Sequence, residues 1–164
     1  MAKEIERKYL VADNGWRSEI ASTSVFLQAY LAAVDDRSLR VRLIDNERAV
    51  LTIKIGRELL CREEFEYEIP VLDAKELIQN ALGIVLEKTR HKVEHKGFTW
   101  EIDVYTGTYA GLVVAEVELE HQNQHPPLPS WIDQEITGDR RYSNLVMATQ
   151  DLSMELCNGL SHSA

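Results

Sequence analysis

Lys3-Glu4-Ile5-Glu6-Arg7-Lys8-Tyr9-Leu10, at the start of the chain, sets Glu4, Glu6 and Lys8 at alternate positions. Successive side chains of an extended strand point to opposite faces, so this spacing puts two carboxylates and an ammonium on one face. Far downstream, Ala115-Glu116-Val117-Glu118 repeats the device, with Val113, Ala115, Val117 and Leu119 on the other face. Between them the same period recurs. Arg40 and Arg42 alternate with Leu39, Val41 and Leu43. Thr52 and Lys54 oppose Leu51, Ile53 and Ile55. Arg62, Glu64 and Glu66 oppose Phe65 and Tyr67. Lys88, Arg90 and Lys92 share a face, as do Glu101 and Asp103, and so do Gln28 and Tyr30. The pattern predicts eight half-polar strands, at 3–10, 26–31, 38–43, 49–55, 62–69, 86–93, 99–105 and 112–120. Short turns at Asp45-Asn46 and near Gly56-Arg57 argue for antiparallel hairpins.

Helices are few. One is expected over 73–82, between Pro70 and Gly83. A second is expected over 143–156, where Leu145, Val146, Thr149, Leu152 and Leu156 fall near helical spacing and Ser143 can cap. A single helical turn is expected over 131–136. The class is α+β, dominated by an antiparallel sheet. The polar faces are unusual in their dense charge of both signs. Alternation alone leaves two arrangements open: a flat sheet with a solvated charged face, or a barrel with the charges turned inward, too costly to stay dry and unpaired.

Composition narrows the function. The 164 residues suit one domain, and 27 acidic against 18 basic side chains give a formal net charge of −9. Such a chain is a poor general binder of nucleic acid or anionic membranes. No apolar run nears the ~20 residues that span a bilayer, and the stretch 1–11 lacks the apolar region of a signal peptide. Cys61 and Cys157 form no CxxC pair and read as reduced thiols of a cytoplasmic protein. His91/His95 and His121/His125 are spaced i to i+4, but on a strand and before Pro126-Pro127 that spacing makes no metal pair. Arg140-Arg141 reads as structural. Trp16, Trp100 and Trp131 are expected to pack the outside of a barrel against helices, and Glu68 and Glu120 to fall beyond its mouth.

Taken together and in this order, ExExK at 4–8, Arg40-Val41-Arg42, Leu51-Thr52-Ile53-Lys54, Arg62-Glu63-Glu64-Phe65-Glu66, Glu87-Lys88-Thr89-Arg90, Asp103 and Ala115-Glu116-Val117-Glu118 resemble the CYTH family, the triphosphate tunnel metalloenzymes. The likeness covers 3 to about 144. It implies one tunnel domain over 1–157, an eight-stranded antiparallel barrel with a charged interior and few flanking helices, followed by a short tail, 158–164. It also implies binding of a triphosphate with divalent metal.

The residue chemistry agrees. Mg²⁺ and Mn²⁺ take oxygen ligands, and Glu4, Glu6, Glu64, Glu66, Asp103, Glu116 and Glu118 are the candidate metal ligands, for two divalent ions. Lys8, Arg40, Arg42, Lys54, Arg62, Lys88 and Arg90 are the candidate phosphate donors. No GxxxxGK[ST] loop is present, so side chains must hold the phosphates. Glu6, Glu116 and Glu118 would hold one ion, and Glu4, Glu64 and Glu118 the other, which places Glu4 and Glu64 at the attacking water. Tyr30 with Lys88 is a further candidate for activating it, against a simple phosphate contact. Seven acids and seven bases cancel in such a site, so the −9 lies elsewhere.

The expected activity is metal-dependent hydrolysis of inorganic triphosphate to pyrophosphate and phosphate. The alternatives are a class IV-type adenylate cyclase or a thiamine or nucleoside triphosphatase, and thirdly a non-catalytic polyphosphate-binding module. The expected partner is a small triphosphate, with no nucleic acid and no membrane, and a homodimer left open.

Overall fold

The computed structural model describes residues 3–58 and 60–158. The tail expected at 158–164 lies, beyond Asn158, outside the described residues. Nine strands follow one another as β1 (Lys3–Val11), β2 (Ile20–Val34), β3 (Arg37–Ile44), β4 (Arg48–Ile55), β5 (Cys61–Ile69), β6 (Leu86–His95), β7 (Phe98–Thr106), β8 (Val113–Glu118) and β9 (Ile132–Glu135). The helices are α1 (Val71–Ile78), α2 (Asn144–Thr149) and α3 (Ser153–Asn158). The first eight strands close in the order β1-β8-β7-β6-β2-β3-β4-β5, all antiparallel, with β5 returning to β1. Closure removes sheet edges and decides between the two arrangements the sequence left open. The charged parity faces inward and the apolar parity outward.

β1 serves two neighbours along one edge. Lys3–Ile5 pairs with Cys61–Glu63 of β5, and Tyr9–Val11 pairs with β9, while the opposite edge pairs with β8. Here the expected helical turn over 131–136 is corrected to a strand. Past β5 the edge of β1 offers unpaired backbone groups, and the chain takes them up. Ala12 N–H donates to the Trp131 carbonyl at 2.8 Å, and Ile136 N–H to that of Lys8 at 2.8 Å.

The tryptophans do pack outside the barrel, but not against helices. Trp16 sits in a 3₁₀ turn (Gly15–Glu19) and Trp131 leads into β9; with Tyr9 and Trp100 they form one buried cluster. Tyr9 and Trp100 lie tilted at 5.5 Å between ring centroids, and Trp100 and Trp131 meet edge-on at 5.8 Å. His91 tilts against Trp16 at 5.1 Å and bonds Thr23, so it is a half-buried strand residue. Glu68 is exposed beside Arg48, and Glu120 lies beyond the end of β8, also exposed.

Two helices differ from expectation. α1 ends at Ile78, and the helix expected over 143–156 is split into α2 and α3. Tyr109 explains the split: its hydroxyl bonds the Met147 and Gln150 carbonyls and accepts the Leu152 N–H at 3.0 Å, replacing the helical partners of the break. Gly83 is not a cap of α1. It adopts φ +68°, and a Cβ there would stand 2.1 Å from the Ala148 carbonyl oxygen of α2, which accepts the Ile84 N–H at 2.7 Å. Gly83→Ala therefore adds left-handed strain and displaces that bond, a cost of about 2–4 kcal/mol. A thermal melt is expected to fall by at least about 5 °C; a melt unchanged within error would show that α2 yields freely.

Candidate functional site

The barrel encloses a cavity of about 580 Å³. Ten Lys and Arg side chains and eight Asp and Glu side chains line it, so it is formally positive inside a chain of net −9. The signs are segregated. β1, β5 and β8 bring Glu4, Glu6, Glu64, Glu66, Glu116 and Glu118 to one wall. β3, β4 and β6 bring Arg40, Arg42, Lys54, Lys88 and Arg90 to the other. Register does this: Glu6 faces Glu118 and Lys8 faces Glu116 across β1–β8, while Glu4 faces Arg62 across β1–β5. Lys8 and Arg62 are the bases that sit on the acidic strands.

On the acidic wall, burial, Glu116 and Glu4 together drive the Glu6 carboxyl well above the usual carboxylate range. Burial raises the Glu116 carboxyl, but Lys8 and Arg90 outweigh it and hold Glu116 well below that range; their nitrogens stand 3.4 and 3.6 Å from it. Lys54 reaches Glu4 at 3.1 Å and Glu64 at 3.6 Å, and Glu4 is likewise held low against its burial. Partial burial, Glu4, Glu101 and Glu66 raise Glu118.

Asp103, expected among the metal ligands, is placed behind the cavity surface. It is fully buried and occupied: Lys88 Nζ donates to Oδ2 at 2.7 Å, and Arg90 donates to Oδ1 and Oδ2 at 2.8 and 2.9 Å. Arg90 also reaches Glu101 at 3.0 Å. Lys88 is 1 % exposed; burial and the nearby Arg90 and Arg42 lower its pKa to about 7 against the pull of Asp103. Tyr30 lines the cavity and packs into the core beneath it. Among the described residues no hydrogen bond joins it to Lys88.

Several lining groups were not named as site residues in the sequence. Thr137 accepts the Lys8 N–H at 2.9 Å, the Tyr142 carbonyl accepts Lys8 Nζ at 3.2 Å, and Asn144 accepts from Tyr105 at 2.8 Å and Lys88 at 3.4 Å. The stretch from β9 to α2 thus tethers two cavity lysines. Only strand parity could have signalled Gln28, Phe26, Glu101 and Lys92; nothing in the sequence pattern signals Asn144.

Among the described residues no three His, Cys, Asp or Glu side chains are already gathered as a metal cage. The donor set still fits a hard divalent cation. Its ligand atoms are all carboxylate oxygens, and Glu4 and Glu116 crowd Glu6 closely enough to raise its carboxyl, a repulsion that a bound cation would relieve.

A closed antiparallel barrel with a basic wall facing an acidic wall defines a tunnel-type site. The chain belongs to the CYTH family: the CYTH domain matches residues 2–151. It is 42 % identical over 149 residues to an inorganic triphosphatase of Acetivibrio thermocellus, covering 89 % of this chain and 94 % of that one. It is 33 % identical to an inorganic triphosphatase of Nitrosomonas europaea, covering 88 % and 96 %. A crystal structure of an inorganic triphosphatase superposes with a TM-score of 0.66 at 31 % identity, covering 92 % of this chain and 97 % of that one. A Hippeastrum protein described as a putative adenylyl cyclase with a dominant triphosphatase activity shares the fold alone, at 17 % identity and TM-score 0.54, over 74 % and 80 % of the two chains.

Proposed function

We propose that the chain hydrolyses inorganic triphosphate to pyrophosphate and orthophosphate, and that the reaction needs a divalent cation, Mg²⁺ or Mn²⁺. The observation that carries this reading is the two-walled cavity. On one side a buried Arg40 bonds only Thr52, at 3.2 Å, and leaves its Nε without a partner. Arg62 has no bonded partner among the described residues. On the other side Glu4 and Glu116 crowd Glu6 and raise its carboxyl. A polyanion satisfies the first wall and a cation the second. The names of the close relatives point the same way.

Arg40, Arg42 and Arg62 present planar forks to phosphate oxygens, Arg90, anchored on Asp103 and Glu101, adds positive charge beside them, and Lys8, Lys54 and Lys88 add point charges. Their placement around one cavity aligns a chain of phosphates and stabilises charge that builds on the transferred group. Glu4, Glu6, Glu64, Glu66, Glu116 and Glu118 are the residues that would hold divalent cations. Bound there, the cation neutralises phosphate charge and acidifies a water. Asp103 acts through its partners, keeping Lys88 and Arg90 aimed. The absence of a bond between Tyr30 and Lys88 favours phosphate contact for both over a water-activating pair.

Incubation with Mg²⁺ or Mn²⁺ and, in turn, tripolyphosphate, ATP or thiamine triphosphate tests the reading. Orthophosphate from tripolyphosphate far above the other substrates is expected. Pyrophosphate with cyclic AMP from ATP would establish a cyclase instead, and tight binding without product would establish a binding module.

A further inference from the structure

Phe26 is out of character with its surroundings. It sits at an inward position of β2, in a cavity otherwise dominated by charge, and is 6 % exposed. Across β2–β3 its neighbourhood includes Arg42, opposite Gln28, and across β2–β6 it includes Arg90, opposite Ser24. Both guanidiniums turn onto its ring. The Arg42 carbon stands 4.4 Å from the ring centroid and the Arg90 carbon 5.1 Å, one from each flanking strand.

That arrangement answers an electrostatic difficulty. Among the described residues Arg42 has no carboxylate partner; its side chain bonds the neutral Gln28 oxygen at 2.6 Å. Burial, Arg40 and Arg90 lower its pKa to about 9. An aromatic face is negative at its centre and attracts cations without neutralising them. A carboxylate in the same place would bind Arg42 and compete with phosphate; an aliphatic side chain would leave the two cations to repel each other across the cavity.

We propose that Phe26 is a positioning residue: its ring holds Arg42 at a fixed spacing from Arg90, which Asp103 and Glu101 anchor, and keeps the Arg42 guanidinium charged and available to phosphate oxygens. The inference rests on the triphosphate reading of the cavity and names the group that organises its basic wall. It also bears on substrate class. Phe26 and Tyr30 are the aromatic residues among the described lining. The ring of Phe26 carries guanidiniums and Tyr30 is packed into the core, so neither offers an open face for stacking a nucleobase. The site accordingly selects a bare phosphate chain over a nucleoside triphosphate.

The test keeps the shape of the ring and removes its charge distribution. Phenylalanine at 26 is replaced by mono-, tri- and pentafluorophenylalanine, with Phe26→Leu and Phe26→Tyr alongside. Tripolyphosphate KM is expected to rise stepwise with fluorination, roughly tenfold for the pentafluoro ring, with kcat changed less. Phe26→Leu should behave like the pentafluoro protein and Phe26→Tyr like wild type. ATP, which gains nothing else from the cavity, should not overtake tripolyphosphate in any of them. A purely structural role would leave the fluorinated series at the wild-type KM, since all those rings pack alike, and that result overturns the inference. Calorimetric binding of tripolyphosphate is read in parallel. If wild type binds it without turnover, the hydrolytic reading fails while weakening along the series still sustains the role of Phe26. If wild type does not bind it, both fail.

Discussion

Glu6→Gln is expected to abolish cation-dependent phosphate release while leaving the metal-free fold as stable as wild type. Burial, Glu116 and Glu4 raise the Glu6 carboxyl well above the ordinary range, which favours its protonated form in the metal-free site. Glutamine has the shape of that protonated acid and can still donate to Glu4 or Glu116, so the melting temperature should stay within the effect of about 0.5 kcal/mol typical of a neutral change. What glutamine cannot do is give up a proton and become an anionic oxygen ligand. Losing several kcal/mol of cation-assisted stabilisation corresponds to a fall in rate of about 10²-fold or more. Glu118→Gln should also lose turnover. Glu4→Gln should lose turnover too, but with a measurable drop in stability, because it removes the carboxylate that Lys54 reaches at 3.1 Å. Phosphate release and thermal melts, measured side by side with and without Mg²⁺, separate the two behaviours. Full activity in Glu6→Gln would remove the acidic wall from the reaction.

Asp103→Ala is the substitution expected to cost most stability. It removes the 0 % exposed carboxylate shared by Lys88 and Arg90, stranding the buried Lys88 ammonium, while Arg90 keeps Glu101 and Glu116. Breaking a buried pair from one side costs about 3–5 kcal/mol, a fall in Tm on the order of 10 °C for a chain of this size. The pH dependence has a definite sign. Burial pushes the Asp103 carboxyl up, but Arg90 and Lys88 outweigh it and hold it below its ordinary value. Its contribution is therefore complete above the pKa of an unfolded aspartate and is lost as pH falls through the lowered folded value. Melts of wild type and Asp103→Ala should converge in acid and diverge toward neutral pH. Equal stability at neutral pH would mean that Lys88 finds another counter-ion.

The barrel was legible because its strands obey period two with few exceptions, and each charged parity set met the others inside. Glu4, Glu6, Glu64, Glu66, Glu116 and Glu118 all reach the cavity, as do Lys8, Arg40, Arg42, Lys54, Arg62, Lys88 and Arg90. Parity cannot show how deep a residue sits or what already holds it. Asp103 shares the inward face of β7 with Glu101, yet two cations on the neighbouring strand engage it and draw it off the surface. β9 was illegible for a related reason: four residues carry too little pattern, and they are a strand because β1 has an edge left to fill. The break between α2 and α3 depends on a hydroxyl from Tyr109, which no reading of 143–156 contains.

The two walls also differ in how far along the chain their strands lie from one another. β3 and β4 are joined by a tight turn at Asp45 and Asn46, both with positive φ, and the hairpin brings Arg40 and Arg42 alongside the Lys54 strand through local contacts. The acidic wall needs β1 to meet β8, so the first strand of the chain must wait for one of the last. Loop closure favours local pairings over distant ones. During synthesis the basic half can thus take shape on a partial chain, whereas the acidic half exists only once nearly the whole polypeptide is out. Assembly order alone would keep a half-made molecule from turning over.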